Sequence, residues 1–291
     1  MKRKSRTQQD IRKRSKIIII EMELKALNNL LKQPLIKQRT PEWYKLRENR
    51  LTASDLYDAI KNPLSLAKRK LKGVSYNSSS VPALKWGTMF EPMAIRIYSN
   101  LKKKKIHEFG LVINDDIEDF GASPDGITED GIMIEIKCPF SRKIIDGNIP
   151  EKYYYQIQGQ LAVCKLNKCD YIECEFITYQ QKDDYLIDNK ENNDNNSHGI
   201  IGERKENNEY VYKYSSENQN CENNMTEMSD LEKDLNLIYW KLKSINIQSV
   251  SFDKNKWDTV ITDKIKNYNN IYKKEKEQQS NPVNLFINDD E

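Results

Sequence analysis

Residues 123–139 read SPDGITEDGIMIEIKCP. The apolar run Ile132, Met133, Ile134 and Ile136, bounded by Gly131 and Pro139, predicts a short buried strand. Alternate side chains of a strand share a face, so Glu135 and Lys137 point one way while Ile132, Ile134 and Ile136 point the other, into a core. Register decides whether Asp125 joins the charged face. A two-residue Asp130-Gly131 turn would set Asp125 opposite Ile136. A three-residue loop Glu129-Asp130-Gly131, with Gly131 in the left-handed conformation, pairs Thr128 with Ile132 and sets Asp125 opposite Glu135; this register is the one expected. Two carboxylates then stand within roughly 5 Å, and a divalent cation is the simplest device that keeps both ionised beside a lysine. Oxygen-only ligation, with the Ile136 carbonyl as a further donor, points to Mg²⁺ or Mn²⁺. The plain alternative is an exposed hairpin with an ordinary Glu-Lys pair.

The chain around this stretch has 291 residues, 37% of them hydrophobic, which suffices for a proper core in one large domain or two small ones. The net charge of +3 hides an uneven distribution. Residues 1–16 carry eight Lys or Arg against one Asp, and residues 181–235 carry fourteen acids against six bases. Five cysteines, odd in number and without the close pairing of a zinc site, read as reduced thiols inside a cell. The short run Ile17 to Ile20 is below the length of a signal core, and nothing approaches the ~20 apolar residues of a membrane span. A soluble, intracellular protein is expected.

Residues 1–16 form a basic arm suited to nuclear addressing, to phosphate contact or simply to a solvated tail. Ile20, Leu24, Leu27 and Leu31 predict a packing helix that Pro34 ends. Pro41 opens a second helix carrying Trp43 and Arg47, and Ser54 caps a third; free amides, a hydroxyl and Arg47 with Arg50 make a phosphate receptor, or else capping and surface charge. After Pro63 the stretch LAKRKLKGVSYNSSSVP (66–82), basic and then Ser-rich, reads as a mobile loop, a candidate to close over a ligand. Phe90, Ala94, Ile97 and Leu101 predict a helix with Glu91 beside its apolar stripe, as a dipole cap or facing a metal. After Pro139 a connector offers Arg142 and Lys143 for phosphate. From Pro150, Tyr154, Ile157, Leu161 and Cys164 predict a buried helix with Gln156 and Gln160 one turn apart on a neighbouring face. Residues 181–224 read as a mobile acidic, Asn-rich insertion with a strand-like NEYVYKY island (208–214). Leu231, Leu235, Ile238, Leu242 and Ile245 predict an amphipathic helix, a shorter helix runs from Trp257 to Tyr268, and residues 278–291 form a tail. The domain proper is 17–277.

Four segments in this order, WYKLRENRLTAS (43–54), ALKWGTMFEP (83–92), SPDG with EIKCP (123–139) and YYYQIQ (153–158), resemble the lambda-exonuclease or YqaJ-type viral recombinase branch of the PD-(D/E)XK nucleases. The resemblance implies an α/β (α+β) restriction-endonuclease-like core, a central mixed sheet flanked by helices. It implies that Asp125 and Glu135 ligate Mg²⁺ (or Mn²⁺) with the Ile136 carbonyl, that Glu91 completes the acidic site, and that Lys137 orients the attacking water or steadies charge on phosphate. Gln156 would sit over the same site. Arg47 with Ser54, and Arg50 nearby, would hold the 5′ phosphate of the strand being cut. The implied activity removes nucleotides from the 5′ strand of double-stranded DNA ends and leaves a 3′ overhang for a single-strand annealing protein, with a homotrimer around DNA in some members and no role at a membrane. One departure is Ile95, where the family often has an arginine; Arg96 follows it here. A PD-(D/E)XK endonuclease and a non-catalytic DNA-binding scaffold of the same fold are the alternatives. The compartment stays open between a host nucleus and a cytoplasmic viral factory.

Overall fold

The computed structural model of the chain describes residues 2–73, 81–113, 116–117, 119–191, 197–207, 209–215 and 235–280. It opens with helices α1 (Lys2–Leu31) and α2 (Pro41–Arg47), strand β1 (Leu51–Thr52), and helices α3 (Leu56–Lys61), α4 (Pro63–Leu71) and α5 (Pro82–Lys102). Short strands follow: β2 (Ile106–His107), β3 (Val112–Ile113), β4 (Phe120–Ala122), β5 (Gly126–Thr128) and β6 (Met133–Lys137). Then come α6 (Glu151–Cys164), β7 (Lys168–Tyr179), α7 (Lys182–Glu191), β8 (His198–Glu206), β9 (Glu209–Tyr214), β10 (Asn236–Ser251) and a C-terminal helix Thr262–Ser280. The expected α/β architecture is present: a mixed seven-stranded sheet in the order β2-β5-β6-β7-β10-β8-β9, with a three-stranded sheet β1-β4-β3 beside it. β6 and β7 pair in parallel, so the chain must cross over between them, and α6 is that crossover.

Alternation along β6 explains how the large sheet separates two cores. Ile134 and Ile136 join Phe90, Met93, Ala94 and Ile97 of α5, with Ile172, Cys174, Trp240 and Leu242 from neighbouring strands. Met133 and, across the ladder, Ile127 face the other way, toward Ile157 and Leu161 of α6, with Leu56, Phe120 and Trp257. A fully buried side chain of this size contributes roughly 1.5–3 kcal/mol, so the alternation pins the strand's facing against a one-residue slip. Glu135 shares the α6 side.

The hairpin takes the expected register. Gly126 pairs with Ile134 and Ile127 with Met133, and Thr128 N donates to Ile132 O at 2.8 Å. Continuing that ladder by one residue sets Asp125 opposite Glu135. Gly131 supplies the positive φ, +85°, and a Cβ there would meet the Cβ of Glu23 on α1 at 2.9 Å. Backbone strain and this close approach act together, so Gly131→Ala is expected to lower the unfolding free energy by about 1–3 kcal/mol. The check is a urea titration, in which the midpoint falls while the slope holds; an unchanged midpoint would contradict the register argument.

Several expectations are corrected. Asn236–Ser251 is strand β10, not amphipathic helix, with residues 231–234 of the expected helix outside the described part: β10 lies between β7 and β8, and its consecutive apolar residues Leu237 to Trp240 serve both faces of a central strand. The stretch read as an acidic insertion that buries little holds α7 and β8, with Tyr185, Ile200 and Ile201 fully buried, besides β9 where the strand-like island was expected; residues 192–196, 208 and 216–234 lie outside the described part. Helix α1 includes residues 2–16 rather than leaving them as an arm, and it packs through Glu23, Leu27 and Leu30, while Ile20, Leu24 and Leu31 are exposed. Leu101 is exposed at the end of α5. Ser54 is not a helix cap: it sits inside a 3-10 turn, Ala53–Asp55, and Asp55 is the residue before α3. The helix expected over 257–268 is present and runs on to Ser280. Residues 66–71, expected in a loop, belong to α4, where Leu66 and Ala67 are buried; residues 74–80, Cys221 and the tail from 281 lie outside the described residues.

Candidate active site

Asp125, Glu135 and Lys137 meet at the C-terminal end of β6. Ile136 N donates to Asp125 Oδ2 at 2.7 Å, which fixes that carboxylate against the strand. Glu135 is fully buried, and its oxygens are shared among three donors. Lys137 Nζ and Gln156 Nε2 donate to Oε1, the glutamine at 2.6 Å, and Gln160 Nε2 donates to Oε2 at 2.7 Å. The two glutamines come from successive turns of α6, so the crossover helix that covers this face of the sheet also orders its acid. Gln160, 1% exposed, was not assigned to the site by sequence; its i, i+4 spacing from Gln156 was the available signal.

Charge is crowded here. Burial, then Glu135 and Glu91, push the Asp125 carboxyl well above the ordinary aspartate value, with only Lys137 and the Ile136 amide opposing. Burial alone would pull the Lys137 ammonium down, but the carboxylates of Glu135 and Asp125 outweigh it and hold the lysine protonated. Glu91 stands on α5 and donates its field to both Asp125 and Cys138. Its Oε2 accepts from Arg39 Nη2 at 2.7 Å. Arg39, which sequence reading missed, is held at φ 67° just ahead of α2; no motif spacing marks it.

A second cluster forms around α2. Thr40 caps this helix, accepting from Trp43 N at 3.3 Å, with Pro41 in the first turn. Arg47 Nη2 donates to Ser54 Oγ and Thr52 Oγ1, each at 3.3 Å, and its guanidinium lies 4.1 Å over the Trp43 ring. Arg47 and Ser54 are therefore brought together as expected. Arg50 is not: it donates to Leu46 O at 2.6 Å and lines a separate cavity of about 120 Å³ with Lys70 and Tyr272. The two clusters are tied by Trp43 Nε1, which donates to Ser123 Oγ at 3.0 Å, and by Gln38 Nε2, which donates to Pro124 O at 3.0 Å.

Among the described residues no three acidic, histidine or cysteine side chains already converge as a cation cage. The donor chemistry nonetheless fits a hard divalent ion, because the carboxylates of Asp125, Glu135 and Glu91 are all oxygen donors and Glu135 and Glu91 stand near enough to Asp125 to act on its charge. No helix of the described residues is long and apolar enough to cross a membrane.

The sheet and its crossover helix thus bring a facing Asp and Glu, a lysine two residues on and two glutamines to one place. Residues 42–167 match the family model described as YqaJ-like viral recombinase domain, in agreement with the resemblance carried by the motifs. The chain is 25% identical to an uncharacterized protein of Acanthamoeba polyphaga mimivirus, over 91% of this chain and 60% of that protein, so it spans about 60% of that relative's length. Among solved structures, the alkaline exonuclease of Laribacter hongkongensis superposes with a TM-score of 0.52 at 21% identity, covering 83% of this chain and 96% of the other; the same exonuclease in complex with dAMP superposes equally.

Proposed function

We propose that the protein is a Mg²⁺-dependent 5′-to-3′ exonuclease acting on double-stranded DNA ends. The observation that carries this reading is the hairpin register, which sets Asp125 opposite Glu135 with Lys137 bonded to Glu135. Asp125, Glu135, the Ile136 carbonyl and Glu91 would hold Mg²⁺, with Mn²⁺ as a substitute. The ion when bound supplies Lewis-acid stabilisation and a more acidic water. Lys137, held protonated, places a fixed positive charge where negative charge grows on the phosphate. Gln156 and Gln160 keep Glu135 in one orientation, so the site is set before substrate arrives. Arg39 holds Glu91.

Arg47 and Ser54 receive the 5′ phosphate, the guanidinium pre-oriented by stacking on Trp43. Burial lowers the proton affinity of Arg47, yet an arginine stays charged throughout the working range. Arg47→Ala is expected to reduce the preference for 5′-phosphorylated over 5′-hydroxyl duplex ends by roughly tenfold, measured as the ratio of initial rates. An unchanged ratio would remove the assignment. On this reading the product is a 3′ overhang for a single-strand annealing protein, and a homotrimer encircling the duplex is the assembly the resemblance implies. The alkaline exonuclease relative, seen with dAMP, supports a nucleotide-handling site.

A further inference from the structure

We infer that Glu173 is a positioning residue that aims Arg142 at a phosphate of the bound DNA strand, beside the group Lys137 serves. This rests on the nuclease reading above and extends its phosphate grip beyond Arg47 and Ser54. The register of the parallel pair puts Glu135 next to Tyr171 and Lys137 next to Glu173, so all four share the face beneath α6. Glu173 is fully buried. Its Oε1 accepts from Tyr171 OH at 2.9 Å and from Arg142 Nη2. Arg142 arrives from the segment after Pro139 and keeps 38% of its side chain exposed while its partner has none. Its guanidinium lies 5.9 Å from the Tyr153 ring centroid, and Lys137 Nζ lies 5.0 Å from the same centroid, so the two cations flank one ring on α6. Lys152 joins them at 4.6 Å.

A fully buried carboxylate is costly, and fastening a surface segment does not require one. Here it does something an exposed acid would not: it holds the guanidinium from below, in low dielectric, while more than a third of the arginine side chain stays exposed. The cost is incompletely offset within the protein, since Glu173 Oε2 and, directly opposite in the β7–β10 register, Asn246 Nδ2 have no hydrogen-bond partner among the described residues. Arg142 Nη1 also donates to Lys143 O, at 3.3 Å, so the planar cation is fixed at Nη2 and Nη1 and keeps its remaining N–H groups for a phosphodiester oxygen.

The test uses the full chain and a 5′-phosphorylated linear duplex, titrated by fluorescence anisotropy in chelator at several salt concentrations. Arg142→Ala is expected to weaken binding roughly tenfold and to lower the slope of log Kd against log salt by about 1. Glu173→Gln keeps the Tyr171 bond and removes the charge; it is expected to weaken binding several-fold and reduce the slope in the same sense. The double variant should bind no more weakly than Arg142→Ala alone, because Glu173 acts through Arg142. Wild-type affinity and slope in either single variant, or additive losses in the double, would overturn the inference, and so would a wild-type protein that binds no duplex. A wild-type protein that binds duplex but cleaves none would instead remove the nuclease reading and leave the Arg142 result standing.

Discussion

Lys137→Ala is expected to lower turnover on linear duplex DNA by about a thousandfold or more, while affinity for the duplex changes by less than about threefold. Lys137 contacts Glu135 and lies against the Tyr153 ring, so its removal leaves the α6 bonds to Glu135 in place. The lost interaction is one made with charge that develops in the transition state, which appears in kcat rather than in binding. The sign of the lysine's shift also separates two roles. A lysine serving as general base needs its proton affinity lowered toward neutrality; Lys137 has it raised by Glu135 and Asp125, against the opposing effect of burial. The activity of the wild-type enzyme should therefore show no limb between pH 6 and 9 that Lys137→Arg removes. A full-activity Lys137→Ala variant would contradict the mechanism outright.

The second large effect is on stability. Asp125→Asn is expected to raise the melting temperature in chelator at alkaline pH by a few degrees, on the order of ~1 kcal/mol, while abolishing cleavage. Because burial and the neighbouring Glu135 and Glu91 raise the native-state proton affinity of Asp125, the folded chain binds this proton more tightly than the unfolded one. Its contribution is most favourable below the ordinary value of 3.8 and falls as pH rises from there through the native-state value. At alkaline pH the native state carries the full cost of the ionised group. Asparagine removes that cost and still accepts from Ile136 N. For the same reason millimolar Mg²⁺ should raise the wild-type melting temperature and leave that of Asp125→Asn nearly unmoved. A destabilised variant, or equal Mg²⁺ shifts in both proteins, would contradict the charge account. Function here is bought with stability, as in many sites where like charges are confined.

How far this site was legible from sequence depends on where one periodicity was available. In the hairpin, Gly131 dictates the loop and the alternation of Ile134 and Ile136 with Glu135 and Lys137 dictates the facing, so both are legible in the sequence. Glu91 and Gln156 fell into place through motif order, and the α6 stripe was displaced only at Tyr154, which is half-buried while Tyr155 is buried. The failures share a different cause. In β10 apolar residues occur on both faces, and such a run satisfies a 3.6-residue period as readily as a 2-residue one; its Ile, Tyr and Trp content was the neglected signal for strand. The Asn and acid content of residues 181–224 points away from burial, yet Tyr185, Ile200 and Ile201 suffice to seat α7 and β8 on the sheet. Arg39 and Glu173 were invisible because each acts through a partner distant in sequence, Glu91 and Arg142, and pairwise contacts of that range leave no local pattern.

The most direct measurement is the digestion of one linear duplex carrying distinct labels at its 5′ and 3′ ends, in Mg²⁺ and in chelator, beside a covalently closed circle of the same sequence. The account predicts early release of the 5′-end label with the 3′ label retained in long single strands, an intact circle, and no product in chelator. Cleavage of the circle, early release of the 3′ label, or undiminished activity in chelator would contradict it.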